Sequence, residues 1–323
     1  MKSAHCLNVT TLIALLVLTF CSSAFAQRNP TMSGQRNDAE RDALYTKFAE
    51  NKKLPLPEKQ RLAYYAAKDY LKEFDQAGDE YAPEMRKFVR EYEKVMKHFD
   101  LYSSYVDKKY PKAFETGRAV LEKEPQNFYV LSILAEAGFD SSQAGNASFN
   151  DEATGYTRRA IELLGSDQLT KTDPFVNKEV ARGVLNLILG WFIRTQSPAE
   201  AAAALTIAAQ EESAYKTNPL TYNLLGNAIL KGEYAKVSAE YNEKFGNKPP
   251  SPEQELMLKQ ILHLGDRAID AYARAIALST KPEEQEGRTK MLAQLTNLYK
   301  SFHNGSDAGL TELIAGVLSK PMP

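Results

Sequence analysis

The chain has 323 residues, 43% of them hydrophobic and 25% charged, with 40 basic side chains against 41 acidic ones. That composition is ordinary for a globular protein, long enough for one elongated or two compact units, and it excludes a mostly disordered chain. It also excludes the strong positive charge with which a nucleic-acid-binding protein holds phosphate backbones.

The first 26 residues differ from all that follow. Lys2 gives a positive start, TLIALLVLTF (11–20) is uncharged and apolar, and Ala24-Phe25-Ala26 places small residues where a signal peptidase reads. Residues 1–26 are therefore read as a signal peptide cleaved after Ala26, which exports the chain to the periplasm or beyond it. The apolar run is shorter than the ~20 residues that a spanning helix needs. Both cysteines, Cys6 and Cys21, lie in this leader, so the mature chain would have no disulfide, thiolate nucleophile or cysteine-bound metal. Leu18-Thr19-Phe20-Cys21 has some likeness to a lipobox, which keeps lipidation at Cys21 as an alternative, although Phe20 stands where that processing takes a small residue.

Residues 27–37 are polar, contain Pro30 and Gly34, and read as a flexible linker. Asp38 is placed to cap a helix running to about Asn51, and LPLP (54–57) ends that helix and starts the next, because proline is tolerated in a first turn. From Pro83, apolar residues step by three or four through Met85, Phe88, Tyr92, Val95, Phe99, Tyr102 and Val106, which predicts one long helix. No sustained period-two alternation occurs, so the mature chain is read as all helix and loop. Residues 38–90 form an N-terminal helical cap in this reading, and 91–320 a repeat domain.

The helices after this point recur with shared punctuation. YPKAFETGRAVLEKEP (110–125) matches GEYAKVSAEYNEKF (232–245), and Leu189-Gly190 matches Leu225-Gly226 at a distance of 36 residues. RAIDAYARAIAL (267–278) carries alanine at nearly every turn, a spacing of methyl groups that lets two helix axes approach closely. A period of this size is the mark of a solenoid.

These residues resemble the tetratricopeptide repeat, a unit of two antiparallel helices. In that family a Leu-Gly pair in the first helix admits the second, an aromatic marks the second helix's start, alanines line it and a proline often follows. Leu225, Gly226, Gly232 and Tyr234 fit one unit, and Leu189, Gly190, Ala202 and Ala209 the one before it. Tyr110, Ala113 and Pro125 fit an earlier second helix, Ala153, Tyr156 and Ala160 the next, and Ala268, Tyr272 and Ala275 a later one. The resemblance implies an all-α solenoid of antiparallel hairpins coiled into a right-handed superhelix, divergent in register, with about five units. First helices at 252–264 and 288–302 lack the Leu-Gly pair.

Catalytic motifs are missing: the sequence contains no G-x-G-x-x-G, P-loop, G-x-S-x-G or H-E-x-x-H. Beyond the leader only His98, His263 and His303 remain, none with a second histidine one turn away, so no metal site and no cofactor is expected. Ser213-Ala-Tyr-Lys216 has the S-x-x-K spacing of a serine acyl transferase but lacks its companion motifs. Trp191, the only tryptophan, is either core or an anchor on the concave face that first helices line in the resembled family. Asn223, Asn227 and Lys231 follow one another at helical spacing on such a first helix, and the resemblance makes them candidates for contact with a peptide partner. The expectation is a non-enzymatic module that binds a polypeptide in the bacterial envelope. A small-ligand carrier with a cavity near Trp191 is the alternative, and a hydrolase would require acidic side chains of different hairpins to converge.

Overall fold

The computed structural model describes residues 35–323 apart from 77, 168 and 247, with side chains from Asp38 onward. The signal-peptide and lipobox readings, and most of the linker, lie outside the described residues. Within them every regular element is a helix and there is no strand, as the periodicity predicts. No described helix is long and apolar enough to cross a membrane.

The chain divides into two compact units between residues 99 and 100, inside the long helix. In the first, α1 (Gln35–Lys52) and α2 (Pro57–Phe74) pack as a hairpin, followed by the start of α3 (Ala82–Val106). Helix α1 begins three residues before Asp38, which therefore lies in its first turn, where a carboxylate favours the dipole, rather than at the cap. Phe48, Ala63, Ala66, Ala67, Tyr70 and Met85 form the core of this unit. Asp79 organises its last turn. One of its carboxylate oxygens accepts from the backbone N–H groups of Tyr81 and Ala82, at 2.9 and 2.8 Å, and the other from the Tyr70 hydroxyl at 2.8 Å.

The second unit continues with α4 (Tyr110–Leu121), α5 (Phe128–Gln143), α6 (Asn150–Leu164), α7 (Lys178–Ile193), α8 (Pro198–Gln210), α9 (Pro219–Ile229), α10 (Ala235–Phe245), α11 (Pro252–Leu278), α12 (Gln285–Phe302) and α13 (Leu310–Gly316). From α4 to α9 each helix packs on the next. Helices two apart also touch, α5 on α7 and α7 on α9. On the side of α4, α6 and α8, Arg118 grips Glu152 with two hydrogen bonds of 2.7 Å, and Arg158 grips Glu200 in the same forked way. Asn127, Asn177 and Asn218 cap α5, α7 and α9 through their side chains.

Small residues set the helix spacing. At Gly190 an added methyl carbon would lie 2.5 Å from Leu205 Cγ, so α8 reaches α7 where the Leu-Gly pair suggests. The equivalent contact one hairpin earlier is Gly138 of α5 against Ala153 of α6, where a Cβ on the glycine would run into the alanine Cβ. Ala113, Ala160, Ala268 and Ala275 are fully buried, Ala209 nearly so, while Ala202, Tyr110 and Tyr156 pack at the core edge. Pro125 is exposed, and its carbonyl accepts from Arg159.

Two expected hairpins take another form. Between Leu225-Gly226 and Tyr234 there is no open turn, but a π-type segment, Leu230–Tyr234, kinked at Gly232 with φ −95° and ψ −105°. Glycine is required there because a Cβ would lie 2.7 Å from the Ala199 backbone nitrogen. The second change is larger. The pair expected at 252–264 and 267–278 is one continuous helix of 27 residues, α11. No proline follows Pro252 inside it, and a lone Gly265 costs a helix only about 1 kcal/mol. Tyr272 of this helix, not a residue of α10, fills the space over Gly226, whose Cβ would lie 2.9 Å from the ring. Late in α11, buried Arg274 holds Asp270 through two bonds of 2.8 and 2.9 Å and donates to the Lys320 carbonyl at 2.8 Å.

Gly138→Ala forces two Cβ atoms together where no rotamer change can separate them, and should cost about 1–3 kcal/mol in chemical denaturation. The double variant Gly138→Ala/Ala153→Gly returns the space and should recover most of that loss. Equal stability of the single variant and the parent would refute the spacing argument.

Candidate functional site

Three helices of the second unit are buried on nearly every side. In α5 the residues from Leu131 to Ser141 are buried except Glu136 and Asp140, in α7 those from Gly183 to Ile193 are buried except Trp191, and in α9 those from Thr221 to Ile229 are buried except Asn223 and Asn227. Each helix thus reaches solvent through a strip one side chain wide. Their partners α4, α6 and α8 instead show a broad exposed side.

Of the residues expected at a partner site, the structure joins Asn223 and Asn227. The Asn227 side-chain amide donates to the Asn223 carbonyl at 2.8 Å and to its Oδ1 at 3.2 Å. Lys231 stands one turn on, exposed, in the kinked segment, and borders a shallow recess with Ser197, Pro198, Ala199, Glu200, Glu233 and Lys236. Trp191 is half-buried: its indole N–H donates to Ser142 Oγ at 3.0 Å and its ring meets Phe139 edge to face at 5.6 Å. The Arg194 guanidinium lies 3.9 Å from the ring centre and donates to the Trp191 carbonyl, so one face of the tryptophan already carries a cation of the chain itself.

The strip of α5 has the most unusual chemistry. Glu136 is half-buried on the solvent side of α5. Among the described residues it makes no hydrogen bond or ion pair. The phenols of Tyr105 from α3, Tyr129 from α5 itself and Tyr215 from the segment between α8 and α9 are close enough for its charge to raise their pKa values, which burial raises first. Asp140, one turn along, accepts from the Tyr105 hydroxyl at 3.2 Å. Tyr102 meets Tyr105 at 6.3 Å between ring centres, and Phe139 meets Tyr215 at 6.4 Å, so the neighbourhood of Asp140 is aromatic as well as acidic.

Burial pushes the Glu136 carboxyl up to about 8, and the charge of Asp140 adds to the shift. Asp140 is also raised by burial, against the pull of the Tyr105 hydroxyl and of Lys108. A glycosidase-like pair needs one carboxyl held as an acid and its neighbour kept ionised. Here both move the same way and both sit on one helix, not on converging hairpins. Among the described residues no three His, Cys, Asp or Glu side chains are grouped as metal ligands would be.

The raised carboxyl has a measurable cost. Unfolded, Glu136 loses its proton near its usual 4.5, and folded only at about 8, so stability falls as pH rises between them, by up to about 1.4 kcal/mol per unit. Glu136→Gln should match the parent near pH 4 and exceed it by at least about 1 kcal/mol at pH 8, a gain of about 2–4 °C in Tm. A difference that does not change with pH would contradict the assignment.

Sequence reasoning missed this carboxyl, although Glu136 is the only charged residue between Phe128 and Phe139. An acid alone in an apolar run was the available signal. No family model matches the chain, and no curated protein or solved structure matches it either.

Proposed function

We propose that the chain is an exported, non-enzymatic interaction module of the tetratricopeptide-like kind, whose second unit binds a polypeptide in the cell envelope. The observation that carries this reading is the set of narrow solvent-facing strips on α5, α7 and α9, three neighbouring helices otherwise sealed in the core. Helices stacked side by side turn such strips into one extended surface, and a surface already formed loses little entropy on binding. The stacking order, with each helix on its sequence neighbour and alternate helices in contact, supports a solenoid path through α4 to α9. Asn223 and Asn227 offer amide groups there for a peptide backbone, with Lys231 at the strip's end and Glu136 and Asp140 on the α5 strip.

Export rests on the leader, and the expected product begins at Gln27. Mass measurement of the chain recovered from the envelope of expressing cells checks this, and an intact residue 1 would count against it. For binding, a photo-crosslinking side chain at Asn223 or Asn227 should capture one recurrent polypeptide in those cells, while the same group at Glu162, exposed on α6, should not. Equal capture from both faces, or none from the strip, would reject the module.

A further inference from the structure

Asn304-Gly305 is the only Asn-Gly pair in the chain, and it lies just past the end of α12. That order carries chemistry. The backbone nitrogen that follows an asparagine can attack the side-chain amide carbon, and a glycine in second place has no Cβ to block the approach.

The asparagine is open to this attack. Residues 303–309 are all exposed, and Asn304 and Gly305 both hold left-handed backbone angles, with φ 52° and 84°. Among the described residues the Asn304 side chain makes no hydrogen bond. Asn146, equally exposed, differs on both counts: its Oδ1 accepts from the Ser148 N–H at 3.0 Å and from the Ser148 hydroxyl at 2.7 Å, and Ala147 follows it. There the amide is held, and a methyl group shields the nitrogen behind it.

What restrains Asn304 acts on the other reactant. The Gly305 N–H donates to the Lys300 carbonyl at 2.8 Å, which closes the end of α12, and the nitrogen cannot reach the side chain while that bond stands. Lys300 Nζ also pairs with Asp307 at 2.8 Å across the same turn. Helix ends open at low free-energy cost, so the restraint is temporary.

We propose that Asn304 is a site of spontaneous deamidation, gated by the last turn of α12. When the turn opens, the Gly305 nitrogen bonds to Asn304 Cγ, and the side-chain nitrogen takes up its proton and leaves as ammonia. Water then opens the resulting ring at either carbonyl, giving aspartate or isoaspartate. No electrons are exchanged, and water is the only co-reactant. The product places a carboxylate at the negative end of the α12 dipole, and isoaspartate also adds a carbon to the backbone, so the turn leading into α13 is loosened. None of this rests on the binding role given above.

The test is incubation of the full chain at neutral pH in oxygen-18 water, followed by mass analysis of its proteolytic peptides. Heavy oxygen should enter residue 304 and not Asn146 over the same period. A free peptide of residues 298–309, which lacks the closed turn, should convert about threefold or more faster than the chain. Lys300→Gln removes the ion pair but keeps the backbone carbonyl, and should convert about twofold to fivefold faster than the parent at low salt, a gap that closes near about 1 M salt. A chain as fast as the peptide, or a Lys300→Gln variant as slow as the parent, would defeat the gate. Heavy oxygen entering another asparagine first, or none at residue 304 over many half-lives of the peptide, would overturn the site itself.

Discussion

Helix axes in the second unit come close because one side of each contact ends at a hydrogen or a methyl group. Gly138 meets Ala153, Gly190 meets Leu205 and Gly226 meets Tyr272, and at each the missing side chain leaves room for the neighbour. Such contacts are selective in position as well as in distance, since sliding by one residue would set a full side chain where the glycine was. They fix which few residues of α5, α7 and α9 remain outside the core. The exposed edges of Glu136 and Asp140 on α5 and the asparagine pair of α9 are therefore consequences of packing on the other sides of the same helices.

What could be read from the sequence was mostly local. The stripe from Met85 to Val106 named a helix that the structure places at Ala82–Val106, and proline in the first turn located the start of α2. Leu189-Gly190 announced a close contact that exists. The long helix α11 shows the opposite case: Ala268, Tyr272 and Ala275 fit a second helix so well that a turn before them was expected, although residues 253–266 contain no strong stop signal. Local continuity prevailed over the repeat pattern. Gly138 escaped notice because it precedes Gly190 by 52 residues, against the 36 that separate Gly190 from Gly226, an excess spread over longer helices and longer loops, including the one from 165 to 177.

The site was harder to read, for a physical reason. Asn223, Asn227 and Lys231 are adjacent along one helix, so spacing alone relates them. Tyr105 of α3 reaches the α5 strip at Asp140 and Tyr215 of the segment before α9 meets Phe139 of α5, from positions more than a hundred apart that no pattern in the chain links. Only Glu136 carried a local hint. Trp191 is half-buried, with its indole N–H donating to Ser142 and one ring face covered by Arg194. A tryptophan so occupied contributes to the wall of a neighbouring surface more than it offers a free anchor.

Arg274 has its charge answered by Asp270 of the same helix and donates a further hydrogen bond to the carbonyl of Lys320, 46 residues away. The Lys320 side chain is exposed while its carbonyl serves a buried cation. Exposure of a tail side chain therefore says little about what its backbone contributes, because loss of that carbonyl would leave a buried donor without its acceptor.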